Sequence, residues 1–355
     1  MQGGFSLNLK SRETRCKMEG YIGNLLQLGG TRHYTLSDGK ANGTRCVDVK
    51  TGSGFEFTVV CDRGMDLSLA SYKGTNLTFL TANAEANPAF YNADGIEWLR
   101  TFTAGMMTTC GPTYLGNPCE DEGEKLGLHG RFSTLPAQQV CDLTSFEDGN
   151  IEIIGTLYDA HTFGKKFRIR RRILSSFGSN SVIVEDTIRN EGGIAAPVNM
   201  LYHVNFGYPL LDETATIHVT SDHCAGCDDF SRARLDERHS VTKPEIGKME
   251  KNYQHTFAED RETAVAWVWN KELDGGLAAY VKFSPKDLPY MNQWVLEDWK
   301  DYIVALEPAN VPCESRNTLR QMGVLPILQP GETKVFRIEI GVISGNETIQ
   351  TLLCD

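Results

Sequence analysis

The chain contains no apolar run approaching the roughly 18 residues that a membrane-crossing helix needs. It also lacks any block of like charge. Lys and Arg number 35 against 46 Asp and Glu, for a net charge of −11. A nucleic-acid binder shows a basic stripe and an anionic membrane surface attracts one, so neither is an expected partner. The start, Met1-Gln2-Gly3-Gly4-Phe5-Ser6, has no charged segment followed by an apolar stretch, so no secretory signal is expected. The dinucleotide fingerprint fails, because Gly52 and Gly54 are followed by Phe57 where a glycine is required. No Walker loop, no His-Glu-x-x-His helix and no serine elbow occurs. There is no internal repeat at short period and no low-complexity linker.

Two suggestive clusters lack their complement. His223-Cys224-Ala225-Gly226-Cys227 has no second Cys-x-x-Cys for zinc, and Asp228 stands where haem attachment needs a histidine, so no metal is expected. Glu297 and Asp298 are adjacent on a strand-like stretch. They point to opposite faces and cannot bracket one glycosidic bond. The ten cysteines are scattered through a long chain rather than framing a short one. They read as reduced thiols, which favours a cytoplasmic location.

What the chain does have is β texture. Phe55–Val60, Arg63–Leu69, Ile151–Tyr158 and Val335–Val342 alternate or run apolar. Phe167–Leu174 sets arginines on one side and apolar groups on the other. Gly178-Ser179-Asn180 then turns the chain and Ser181–Ile188 returns it, a hairpin pattern. Lys243–Asp260 is polar and poorly periodic and is expected to be a surface excursion with one helical turn at most. Convincing amphipathic helices are few. The expected architecture is a large antiparallel β-sandwich formed by residues 1–355 as a single domain, with the first 30 or so residues as an added strand or cap.

Some ionisable residues sit where apolar neighbours predominate. His203 follows Pro197-Val198-Asn199-Met200-Leu201-Tyr202, and reads either as a satisfied core histidine or as a general acid. Glu307 lies in Val304-Ala305-Leu306-Glu307-Pro308. It is either an edge residue paired with an arginine or a base whose pKa a dry pocket raises. His129 lies in Leu128-His129-Gly130-Arg131, where Gly130 permits close approach of a ligand or of backbone. Arg100 precedes the small-residue stretch Gly105–Gly111, and Gln293-Trp294 offers an amide beside an aromatic face.

These segments together resemble the aldose 1-epimerase (mutarotase) family. The ordered set Arg63-Gly64-Met65-Asp66, Thr109-Cys110-Gly111 and Leu128-His129-Gly130-Arg131 resembles a branch of that family whose substrate is unsettled, across roughly residues 40–345. The resemblance implies a galactose mutarotase-like sandwich and a cofactor-free, metal-free interconversion of sugar anomers. It implies Glu307 as the base at the anomeric hydroxyl and His203 as the acid at the ring oxygen. Glu307 and His203 would stand on opposite sides of a pyranose-sized space, with His129 and Arg100 binding hydroxyls and Gln293 and Trp294 alongside. Two alternatives stay open. In one, Arg63, Arg100 or Arg131 holds the phosphate of a hexose phosphate. In the other, the scaffold binds or senses carbohydrate without catalysis.

Overall fold

The computed structural model describes residues 8–351; the Met1–Ser6 segment considered above lies outside them. Two antiparallel sheets face each other. The larger runs, in spatial order, through Gly30–Thr35, Arg45–Lys50, Phe55–Val60, Asp66–Tyr72, Met107–Cys110, Leu201–Phe206, Asp301–Ala309, Tyr290–Asp298, Lys251–Thr256 and His223–Gly226. The smaller runs through Gln138–Asp142, Asn150–Ala160, Lys166–Ser176, Ser181–Asn190, Thr333–Ser344, Leu277–Phe283, Ala264–Asn270 and Ala215–Val219. Three two-stranded ribbons, four short α-helices and seven short 3-10 helices complete the regular structure among the described residues, and no helix there is long and apolar enough to cross a membrane.

The strands form where alternation predicts them. Phe167, Ile169 and Ile173 face inward, and so do Val182, Val184 and Ile188 across the Gly178 turn, with Ile173 paired to Val184. They meet Val59, Leu67, Tyr202, Val204 and Leu306 of the larger sheet in one continuous core. Ahead of the first strand, Ser11 caps the helix Arg12–Glu19. Leu9 enters the core, and Arg15 donates to the Leu9, Lys10 and Glu147 carbonyls. The described part of the N-terminal segment is therefore a helical cap.

The structure corrects two readings. Lys251–Thr256 is a strand of the larger sheet rather than a surface excursion. Its inward positions carry Lys251, Tyr253 and His255, so no apolar alternation marks it. Each polar group is paired: Lys251 with Glu297 at 3.1 Å, the Tyr253 hydroxyl with the Arg234 carbonyl at 2.8 Å, and His255 with Ser221 at 2.8 Å. The second correction concerns Arg171, which lies on the apolar side of its strand and is fully buried. All five of its donors are used: Nε and Nη2 on Asp186, Nη1 on Asp66 and the Gly64 carbonyl, and Nη2 also on Thr109 Oγ1. The Tyr202 hydroxyl donates to Asp186 at 2.7 Å, and the guanidinium lies 4.4 Å from the Phe132 ring centroid. Gly64, Asp66 and Thr109 are thereby explained as parts of a buried polar network that joins the two sheets.

Candidate active site

Strand register builds the site. Thr108 pairs with His203, the pairing of Val204 with Leu306 sets His203 opposite Glu307, and Asn292 pairs with Glu307. Four adjacent strands thus carry Thr108, His203, Glu307 and Asn292 in a row. Their chain neighbours Met107, Tyr202, Val204, Leu306 and Met291 point into the core, so the row lies on the other face of the sheet. Trp98, Phe102 and Leu128, from the connections that precede and follow Met107–Cys110, cluster with Ile303 on that face. The Trp98 and Phe102 rings stack at 4.6 Å.

His203 and Glu307 are only 4% and 2% exposed. His203 Nε2 lies 3.1 Å from Glu307 Oε1, out of line for a hydrogen bond, and Oε1 has no hydrogen-bond partner. Glu307 Oε2 accepts from Asn292 Nδ2 at 3.0 Å. Burial pushes the Glu307 carboxyl up to about 7, a rise that the Asn292 hydrogen bond moderates and the charge of Glu250 reinforces. Burial likewise lowers His203 to about 4. His203 Nδ1 lies 2.6 Å from Asn205 Oδ1.

His129 joins this cluster. Its ring lies 6.1 Å from that of His203 and edge-on to Trp98 at 4.8 Å. Nδ1 donates to the Leu115 carbonyl at 2.7 Å, and burial lowers the ring to about 4. The backbone there is left-handed, with φ of 59° at His129 and 74° at Gly130. A Cβ on Gly130 would meet the Tyr114 carbonyl oxygen at 2.3 Å, so the close approach that glycine permits is to backbone. Trp294 lies on the same sheet face as Asn292, edge-on to His203 at 5.6 Å, and its indole donates to Glu250 at 2.7 Å. His129 and Trp294 are half-buried and Glu250 is exposed, so this is the side from which solvent reaches the pair.

The other candidates lie elsewhere. Gln293 is one residue out of phase and faces the core, donating to the Arg238 carbonyl and accepting from His255. Arg100 lies in the short helix Glu97–Thr101, 75% exposed, paired with Glu97 three residues back. Arg63 is buried and donates to the Ala86 and Thr101 carbonyls. Arg131 is an exposed side chain preceding the short helix Phe132–Thr134. The acid–base pair also departs from expectation, since the two groups stand side by side rather than across a pyranose-sized gap. Glu250, Asn292 and Asn205 are site residues that the sequence reading missed. The pairing of Asn292 with Glu307 follows from counting outward from the Asp298–Asp301 hairpin end, which is the one signal that could have found it.

Cys224 and Cys227 are unbridged, and no group of three His, Cys, Asp or Glu side chains among the described residues is placed to hold a metal ion.

Comparison with known proteins places this geometry. A family model described as a domain of unknown function, DUF4432, matches residues 41–342. The chain belongs to the DUF4432 family. No curated protein matches it in sequence. Among solved structures, a Klebsiella pneumoniae protein with a provisional aldose 1-epimerase name superposes with a TM-score of 0.84 at 22% identity, covering 94% of this chain and 91% of that one. A galactose mutarotase-like protein from Clostridium acetobutylicum gives 0.63 at 11% identity, covering 90% and 99%. Galactose 1-epimerase from Lactobacillus acidophilus gives 0.58 at 12% identity, covering 90% and 100%. At these identities the likeness is one of fold, and this DUF4432 member has the galactose mutarotase-like β-sandwich.

Proposed function

We propose that this DUF4432 protein is a cofactor-independent sugar epimerase acting at the anomeric carbon of an unphosphorylated aldose. The observation that carries the reading is the His203–Glu307 pair. It is buried, shares one sheet face with a histidine and aromatic rings, and leaves Glu307 Oε1 without a partner. Anomer interconversion needs one group to take the anomeric hydroxyl proton and another to give one to the ring oxygen. The ring then opens, the aldehyde turns, and the reverse transfers close it. No electron leaves the sugar and no leaving group carries away charge. An acid and a base, each worth about 10²–10⁴-fold, suffice. The aromatic rings offer faces for the apolar side of a sugar, and Glu250 and the second nitrogen of His129 can accept from its hydroxyls. The names carried by neighbours in fold support the same reaction class.

Two of the three candidate arginines, and the local charge, count against the phosphosugar alternative. Arg63 is spent on backbone carbonyls, Arg100 pairs with Glu97 on the surface, and the charges nearest Glu307 include another carboxylate, Glu250. A dianionic group would meet repulsion there. A non-catalytic sugar binder has no use for a buried carboxyl that must be kept dry at the expense of stability.

The test is saturation exchange at the anomeric proton across a panel of free and phosphorylated aldoses. Exchange of at least one free aldose, with none of the phosphorylated ones faster, is expected. Binding without exchange for every sugar would favour the sensing protein. Arg100→Ala is expected to leave the exchange rate unchanged.

A further inference from the structure

We propose that His203 and Glu307 act as a one-proton pair in which His203 Nε2 takes the anomeric hydroxyl proton and Glu307 gives its own to the ring oxygen, with Asn205 as the positioning residue that fixes the imidazole tautomer. The inference rests on the epimerase reading and reverses the roles that the sequence resemblance assigns.

Asn205 fixes the hydrogen on the ring. Its amide nitrogen donates to the carbonyls of His203 at 2.8 Å and Ala104 at 3.2 Å. Its oxygen is therefore the atom that meets His203 Nδ1 at 2.6 Å, and an amide oxygen only accepts. Nδ1 must carry the hydrogen. In the neutral ring Nε2 is then bare, and it is the nitrogen beside Glu307. On the other side of the pair, Glu307 has an amide donor on Oε2 and no arginine or lysine bonded to it. Separating charge in so dry a place is costly, and the directions of the two shifts agree: the carboxyl is raised and the imidazole lowered. The proton of the pair thus resides on the carboxyl.

A bare nitrogen and a protonated carboxyl 3.1 Å apart present an acceptor and a donor side by side. The two oxygens of a hemiacetal are likewise side by side, both on one carbon. The hydroxyl oxygen gives its proton to Nε2, and its electrons form the C1–O double bond. The bond from C1 to the ring oxygen breaks toward that oxygen, which takes the Glu307 proton. The site then holds imidazolium and carboxylate, and ring closure returns both protons. Adjacent placement of the two groups, unexpected for a pair that must bracket a ring, fits a pair that addresses one carbon.

The test reads the proton directly. In protein labelled with ¹⁵N in its eight histidines, the His203 signals are identified by their loss in His203→Gln. At pH 7 one protonated and one bare nitrogen are expected, persisting until the pH approaches the His203 value of about 4. An infrared band of a protonated carboxyl, present at pH 6 and lost in Glu307→Gln, is expected alongside. Asn205→Asp sets a carboxylate on Nδ1 and is expected to turn His203 into imidazolium at pH 7 and to lower kcat with KM little changed; a purely structural role for Asn205 would leave the His203 titration in place. Two protonated nitrogens at pH 7 in the native protein, or no carboxyl band lost in Glu307→Gln, overturns the assignment even if anomer exchange is intact. A neutral His203 in a protein that exchanges no sugar overturns the epimerase reading instead.

Discussion

Glu307→Gln is expected to abolish anomer exchange and, at pH 8, to raise the stability of the fold. Glutamine keeps the shape of the side chain and an oxygen for the Asn292 amide, but it neither gives nor takes a proton. The loss in kcat is expected to be about 10²–10⁴-fold, with sugar affinity largely retained. The stability effect follows from linkage. The folded carboxyl holds its proton up to about pH 7, whereas the unfolded one releases it near the ordinary value of 4.5. Between those values the folded chain binds more protons, so the native protein loses stability as pH rises through that window, by about 3 kcal/mol in all. The variant is free of this loss. Its melting temperature should match that of the native protein near pH 4.5 and exceed it at pH 8. Near-native exchange at saturating sugar would remove Glu307 from the chemistry. Equal melting temperatures at pH 8 would mean that the carboxyl is not held dry.

The cost of burial explains why His203 and Glu307 stand out in the sequence as candidates. An imidazole and a carboxylate embedded among Val, Leu, Ala and Pro are costly to bury, and that cost is visible in composition alone. The strands were legible for the related reason that Ile151–Tyr158 and Ser181–Ile188 alternate as half-buried strands must, while Phe55–Val60 starts so and ends in an apolar run buried on both faces. Polar partners carry no such mark. Asn205 matters because of which strand lies beside which, and that neighbourhood is set by pairings between residues about 100 positions apart, whereas Asn292 reaches Glu307 across a single hairpin. Gln293 shows how little separates a site residue from a core residue, since a shift of one position on a strand turns a side chain through the sheet. The arginines were the least legible. Their reach and five donors suit a sugar, a carbonyl or a neighbouring glutamate equally well, and only three-dimensional placement decides among them.

Arg171 is the extreme case, and its removal is expected to cost more stability than any other single change considered. Arg171→Met would leave Asp66 and Asp186 facing each other's surroundings in the core without the cation that all five hydrogen bonds now supply. Breaking a buried pair by deleting one partner typically costs about 3–5 kcal/mol, because the remaining charge is uncompensated. The sign of the pH dependence identifies the mechanism. Burial already raises the Asp66 carboxyl against the pull of Arg171, so without the guanidinium it should move further up. The folded variant would then bind more protons than its unfolded chain, and lowering the pH should narrow the gap to the native protein. Urea unfolding of both proteins at pH 7.5 and pH 5 measures it. A deficit below about 1 kcal/mol, or one that does not shrink in acid, would contradict the account. Replacing Asp66 and Asp186 by asparagine in the same chain removes the stranded charges and should recover part of the loss at pH 7.5 alone. The consequence reaches the candidate site through register. Tyr202 and Thr109, both bonded within this network, pair with each other across the strands that carry His203 and Thr108 on the opposite face. Arg171→Met should therefore slow anomer exchange while the chain is still folded, and acid that restores its stability should not restore the rate, because the lost bonds to Thr109 are not remade by protonating a carboxyl.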